Sequence, residues 1–267
     1  MPDPMHFEAH ADDYVSSRPP YPPELWATLR DRGLLRRGNR ALDIGAGTGQ
    51  ATGPMLAAGL HVTAVEPGAR LAALLAEACP AAEVIVGRAE DLELDRASFD
   101  LAVAATSIHW MDLDIVLPKI ARVLRPTGRF LVWRNVFGDA TVVTPFRERI
   151  ARIVRDRQSP LRRGADAEDA TVTAARLTAG GRFEVEHSSA YRWSVELDAG
   201  QVRALFSTFS DWSTAEVDQA AGAVRDLGGR VIEHYTSWLI VLKPVASGDA
   251  EPASVEASLR RGTASSA

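Results

Sequence analysis

Leu42-Asp43-Ile44-Gly45-Ala46-Gly47-Thr48-Gly49-Gln50 is the stretch whose reading decides the fold. A short apolar run, Arg40 to Ile44, carries an acid inside it and closes on three glycines at alternate positions, after which Gln50 to Ala58 has helical composition. That order reads strand, glycine turn, helix. Glycines at such a turn let the backbone come close to a ligand and adopt conformations that a Cβ forbids. The spacing departs from a dinucleotide fingerprint, because Gln50 stands where G-x-G-x-x-G ends in Gly or Ala. It is not a phosphate loop either: that motif needs a Lys followed by Ser or Thr, and no Lys or Arg occurs from Ala41 to Leu60. A ligand without phosphates fits this turn better.

Outward from the turn, strand and helix patterns alternate. His61 to Glu66 is a second β-type run, Ala69 to Ala78 an Ala/Leu-rich helix, Glu83 to Val86 a short strand and Phe99 to Ala105 another. Asp114 to Leu124 has helical spacing and is expected to stop at Leu124-Arg125-Pro126-Thr127-Gly128-Arg129, with a fifth strand from Phe130 to Asn135. Such alternation predicts a parallel sheet with helices on both faces. Upstream, Phe7 to Leu35 passes through Arg18-Pro19-Pro20-Tyr21-Pro22-Pro23 and turns helical from Glu24, as a cap before the sheet would. Downstream, Pro145 to Arg157 reads as a polar, Arg-rich helix and Gln158 to Asp169 as a loop. Phe183 to Leu197 and Arg230 to Lys243 alternate like long strands that would complete the sheet as an antiparallel pair, with helices at Ala199 to Phe209 and Thr214 to Leu227 between them.

A chain of 267 residues with 46% hydrophobic content can bury a full core. The net charge is −5, and Lys119 and Lys243 are the only lysines, so no basic surface calls for nucleic acid or an anionic membrane. One cysteine, Cys79, excludes an internal disulfide framework and a cysteine-based metal site, and it suits a reducing compartment. The start, Met-Pro-Asp-Pro-Met-His, lacks the basic and apolar regions of a secretory signal, and no apolar stretch is long enough to span a bilayer. The expectation is a cytoplasmic protein with no membrane or nucleic-acid partner and no bound metal.

Leu42 to Gln50 resembles the first signature motif of class I S-adenosylmethionine-dependent methyltransferases. The resemblance implies an α/β fold with a Rossmann-like seven-stranded sheet, mostly parallel with an antiparallel final strand, helices on both faces and an N-terminal helical cap. It implies one methyltransferase domain over 1–245: a cap (1–38), a cofactor-binding core (39–135), an insertion over the active site (136–182) and C-terminal strands and helices (183–245). Residues 246–267, poor in bulky apolar groups, are expected to form a disordered tail. In that family the glycine loop, here Gly45, Ala46, Gly47, Thr48, Gly49 and Gln50, passes the methionine part of S-adenosyl-L-methionine. An acid ending the second strand holds both ribose hydroxyls; in Val62-Thr63-Ala64-Val65-Glu66-Pro67 it is Glu66, with Pro67 beside it. One carboxylate can accept from two adjacent hydroxyls, and its charge strengthens each bond. Gly87-Arg88-Ala89-Glu90-Asp91-Leu92 is similar to the adenine-lining segment, which assigns Ala89 and Glu90; the departure is Arg88, where many relatives carry Asp.

Phe99 to Trp110 resembles the fourth strand and its following loop, placing Ala104, Ala105 and Thr106 beside the cofactor and aiming His109 and Trp110 at the reaction edge. The N-terminal pattern of Phe7, Tyr14, Arg18, Pro19, Tyr21 and Pro22 is similar to a small-molecule branch that includes trans-aconitate methyltransferase-like and natural-product methyltransferases, as are Phe206 to Ser210 and Tyr235 to Trp238. This implies that Tyr14 and Arg18 reach the cofactor carboxylate, or else anchor the cap, and that Tyr21 and Trp110 contact the substrate. Asp43 is either a structural acid for the loop amides or a contact for the cofactor ammonium. The expected partner is a small-molecule acceptor, with His109 the first candidate for a proton-accepting role if the acceptor needs one. A nucleotide-dependent oxidoreductase, a cofactor-binding regulatory protein without catalysis and a macromolecular methyltransferase are the competing readings. Gln50 argues against the first and the lack of a basic groove against the last.

Overall fold

The computed structural model describes residues 18–157, 168–209 and 211–245. Tyr14, the Gln158 to Asp169 segment through residue 167, and residues 246–267 lie outside these described residues. Seven strands, β1 (Arg40–Ile44), β2 (His61–Glu66), β3 (Glu83–Val86), β4 (Phe99–Ala105), β5 (Leu124–Phe137), β6 (Phe183–Asp198) and β7 (Arg230–Pro244), form one sheet in the order β3-β2-β1-β4-β5-β7-β6. β1 to β5 pair in parallel, and β7 runs antiparallel to both β5 and β6. The chain crosses from one side of β1 to the other between β3 and β4. This is the switch point at which open α/β sheets hold ligands, outside the carboxyl ends of the strands.

Central strands are apolar throughout because both faces are covered. Leu42, Ile44, Phe130, Val132, Ile240 and Leu242 face α4 (Leu113–Val123) and α6 (Ala170–Thr178), meeting Val116, Ile120 and Leu177. Their neighbours Ala41, Leu131, Trp133, Leu239 and Val241 face the other way. There they meet Leu25, Trp26 and Leu29 of α1 (Pro23–Asp31) and Met55 of α2 (Thr52–Ala57). α3 (Ala69–Ala78) packs Leu75 and Cys79 beside β2. The ends of β5, β6 and β7 extend past β4 and carry a second core. In it α5 (Pro145–Arg155), α7 (Ala199–Ser207) and α8 (Thr214–Asp226) enclose Phe146, Ile150, Leu205, Phe206, Val224 and Val231. α7 and α8 each begin with a capping box, Asp198/Gln201 and Ser213/Glu216, which satisfies two otherwise orphaned amides apiece.

Two local expectations are corrected. The segment read as a turn, 124–129, already belongs to β5: Leu124 pairs with Phe99, and Arg125 donates to Asp100 at 2.6 Å, so the ladder resumes at Arg129 after one irregularity. α6 was not foreseen. Its opening Ala-Thr-Val-Thr is a weak helix former, and the helix is held by Asp169, whose carboxylate caps the Thr171 and Val172 amides, and by burial of Leu177. Among the described residues, no helix is long and apolar enough to cross a membrane.

Candidate active site

The glycine turn joins β1 to α2 in the conformation its composition requires. Gly45, Gly47 and Gly49 all have positive φ, and a Cβ on Gly45 would stand 2.6 Å from Ser107 Cβ. The amides of Gly45 and Ala46 both donate to Val65 O, at 2.8 and 3.0 Å, which fastens the turn to the end of β2. Thr48 is buried within it.

At that end lies Glu66, 6% exposed, with its two oxygens divided between two backbone amides: Gly47 N donates to Oε2 at 2.9 Å and Gly68 N to Oε1 at 3.0 Å. A carboxylate oxygen has two acceptor positions, so a carboxylate fixed in this way can also accept from ligand hydroxyls. The amides fix the carboxylate before any ligand arrives; Pro67, between Glu66 and Gly68, is exposed.

Asp43 lies deeper, fully buried, with Oδ2 accepting from Thr52 Oγ1 at 2.6 Å and Oδ1 unpartnered among the described residues. Burial pushes its carboxyl up to about 7, against the lowering effect of the Thr52 hydroxyl and with a further push from Glu66. An ionised Asp43 therefore has one oxygen, Oδ1, in want of a donor, a need that a cationic group at the turn would meet.

Ala89 is buried in a 3-10 turn after β3, and Glu90 next to it accepts from Asp112 N at 2.9 Å and pairs with Arg88, whose side chain is exposed. Arg88 thus points to solvent and orients Glu90. At the end of β4, Ala104 is buried, Ala105 half-buried, and Thr106 takes a φ of 60°, a left-handed conformation unusual for a β-branched residue. The Trp133 carbonyl holds its amide at 2.8 Å, and the Tyr21 hydroxyl meets its Oγ1 at 3.1 Å. Tyr21 is buried, with its ring edge-on to Trp133 and Trp26 and its hydroxyl at the β4 end. Ser107 Oγ donates to Ile44 O at 2.6 Å, locking the next turn, Ile108–Trp110, against β1.

In that turn the His109 and Trp110 rings are 4.8 Å apart, and His109 Nδ1 is 3.0 Å from Arg134 Nη1. Arg18 ties three parts together. Its carbonyl accepts from Gln50 Nε2 at 3.0 Å, its guanidinium donates to Thr208 O at 3.2 Å, and it lies over the Phe209 ring. The structure thus gathers the glycine loop, Glu66, Asp43, Thr106, the His109–Trp110 turn and Arg18 at one sheet edge, with Ala89 and Glu90 after the neighbouring β3.

The sequence reading missed Thr52, Ser107 and Arg134. Arg134 had a signal, being the one charge in the apolar run Phe130-Leu131-Val132-Trp133-Arg134.

Residues 42–132 match the family described as the methyltransferase domain. Over these residues the chain is similar to class I S-adenosylmethionine-dependent methyltransferases. It is 39% identical over 132 residues to an uncharacterized methyltransferase of Mycobacterium tuberculosis, covering 49% of this chain and 53% of that one. It is 38% identical over 96 residues to the ubiquinone/menaquinone biosynthesis C-methyltransferase of Rubrivivax gelatinosus, covering 35% and 38% of the two chains. The chain spans about half the length of the first of these relatives. A candidate type II methyltransferase from Anaeromyxobacter dehalogenans shares the fold, with a TM-score of 0.63, 24% identity, and coverage of 84% of this chain and 97% of that one. S-adenosylmethionine is the cofactor this family implies. The residues present fit it: Asp43 has a buried oxygen in want of a donor, and Glu66 presents a carboxylate held by two backbone amides at the end of β2.

Proposed function

We propose that this methyltransferase transfers the methyl group of S-adenosylmethionine to a small-molecule acceptor. The observation that carries the cofactor site is the fixed carboxylate of Glu66, oriented by the Gly47 and Gly68 amides at the end of β2. Glu66 with Pro67 takes the ribose hydroxyls. Asp43 and the loop from Gly45 to Gln50 receive the amino-acid end, and Ala89 with Glu90 borders the adenine. Ala104, Ala105 and Thr106 line the floor, and Arg18, with Tyr14, serves the cofactor carboxylate. When bound, the cofactor supplies a methyl group already activated on a sulfonium, so no enzyme nucleophile is needed.

The chain's own task is alignment in a site that excludes water, worth on the order of 7 to 11 kcal/mol through proximity. The segment after β5 supplies the cover, and His109 with Trp110 borders the acceptor. A small acceptor is supported by the balance of charge, which offers no basic groove, and by the quinone-pathway name of the Rubrivivax relative.

Calorimetric titration with S-adenosylmethionine tests the cofactor site, and saturable binding is the expected result. Incubation of the protein with labelled cofactor and a deproteinised metabolite extract tests the acceptor class. Label recovered only in added protein or nucleic acid would reverse that part of the reading.

A further inference from the structure

Arg134 stands on β5 with its guanidinium nearly buried, its Nη1 3.0 Å from His109 Nδ1 and its Nη2 3.8 Å from Glu168. A guanidinium has five donors, no acceptor, and does not lose its proton in proteins. The bond therefore has one sense: Arg134 donates and Nδ1 accepts. A neutral imidazole with a bare Nδ1 carries its proton on Nε2, so the ring's other nitrogen is a donor. A proton on Nδ1 would set N–H against N–H across 3.0 Å and break the contact.

The ring's location gives this tautomer a use. The His109 turn is fixed to the glycine loop by the Ser107–Ile44 bond, and His109 borders a shallow recess shared with Ile108, Leu113 and, from α6, Thr173, Arg176 and Leu177.

We propose that Arg134 is a positioning residue that fixes His109 as an Nε2–H donor, and that His109 holds the acceptor through an oxygen lone pair and takes no proton from it. This rests on the methyltransferase reading above and deepens it by naming a class. The acceptor presents a carbonyl or anionic oxygen to His109, and its reacting atom is either ionised beforehand or deprotonated by another group. With Arg134 behind it, the imidazole places positive potential where such an oxygen sits.

The test has two parts. Nitrogen-15 NMR of histidine-labelled protein at neutral pH, with the His109 signals assigned by their loss in His109→Gln, reads the tautomer directly without any acceptor. A neutral ring with protonated Nε2 and bare Nδ1 is expected, converting to mixed tautomers in Arg134→Met. A proton on Nδ1, or a doubly protonated ring, would overturn the proposal. In the labelled-cofactor assay, His109→Gln keeps an N–H donor near the Nε2 position but cannot act as a base. It should retain transfer within about 10-fold of the parent, while His109→Ala loses about 100-fold, the range for a charge-assisted hydrogen bond. Equal loss in both variants would assign His109 the base role and sink the idea. Calorimetry keeps the two failures apart: a parent protein that does not bind S-adenosylmethionine refutes the functional reading, whereas a wrong tautomer in a protein that binds it refutes only this inference.

Discussion

Asp43 and Glu233 are both buried carboxylates held up near 7, yet they belong to regions assembled on different terms. At the glycine-loop edge Asp43 and Glu66 find their partners within one strand–turn–helix–strand unit. Asp43 takes its hydroxyl from Thr52, nine residues on, and Glu66 takes amides from Gly47 and Gly68, 19 and two residues away. On the far side, where β5, β6 and β7 overrun β4, the polar groups meet across long loops. Glu233 of β7 is fully buried with Arg147 of α5 opposite, at 3.5 Å, and among the described residues neither oxygen has a partner in good hydrogen-bond geometry. Tyr235, two residues along the same face, stacks on Trp193 of β6 and lies edge-on to Phe137 of β5, its hydroxyl unpartnered among the described residues. The first region sets its carboxylates with amides and hydroxyls of the glycine-loop unit, while the second is held by aromatic packing with polar groups left poorly satisfied inside it.

Glu66→Ala probes that contrast hardest. If the first region is a preformed cradle, removing a carboxylate that accepts two ligand hydroxyls and also orients Gly47 should weaken S-adenosylmethionine binding by about 100-fold or more, taking 1.5 to 3 kcal/mol per charged hydrogen bond. Isothermal titration of the folded variant measures it. Binding within a few-fold of the parent would remove Glu66 from the site and, with it, the distinction between the two regions.

The same contrast explains what was legible in the chain. The turn from Gly45 to Gly49, the acid Glu66 and the strand–helix rhythm through Phe137 are local patterns: an apolar run two or three turns long, a glycine where φ must be positive, an acid at a strand end. These can be read in a window of a dozen residues. Arg134 and His109, 25 positions apart, and Arg147 and Glu233 are partners only because β4 pairs with β5 and β5 with β7. Nothing local encodes that pairing. α6 escaped notice for a related reason, since Thr and Val at its start give little intrinsic preference and its stability comes from Leu177 packing under β7. The edge-on packing of Tyr21 against Trp133, far along the chain, likewise has no local signal.

A weaker probe uses pH. Burial raises Glu233 from 4.5 to about 7, partly offset by the Arg147 guanidinium and the nearby His234 amide. The folded state therefore holds this proton more tightly than the unfolded chain does. The resulting stability is full below about 4.5, the unfolded value, and is lost as pH rises through about 7. Asp43 acts in the same direction over a similar window, from 3.8 to about 7. Glu233→Gln should match the parent in denaturant unfolding under acidic conditions and exceed it by about 2 to 3 kcal/mol above neutrality, since Gln never has to bury a charge. A variant less stable than the parent on the alkaline side would mean that the Arg147 pair is a net structural asset, and the second region would then resemble the first.

The smallest effect falls on Tyr235, where the argument is about one atom. Its ring is fully used, 4.7 Å from Trp193 and nearly parallel at 18°, and 5.5 Å from Phe137. Its hydroxyl is buried and without a partner among the described residues, and burial, with Glu233 nearby, pushes its ionisation upward so that it stays neutral. A buried hydroxyl with no hydrogen bond costs roughly 1 to 3 kcal/mol relative to water, whereas a phenyl ring in its place keeps the stacking and the volume less one oxygen. Tyr235→Phe should therefore be neutral or more stable by up to about 1 kcal/mol, read as a small rise in melting temperature, with S-adenosylmethionine affinity unchanged because the residue touches none of the loop, Glu66 or Asp43 contacts. A loss of more than about 1 kcal/mol would show that the hydroxyl has a partner in solution, such as an internal water bridging to Glu233 or Arg147, and that the polar groups beneath α5 and α7 are a satisfied network.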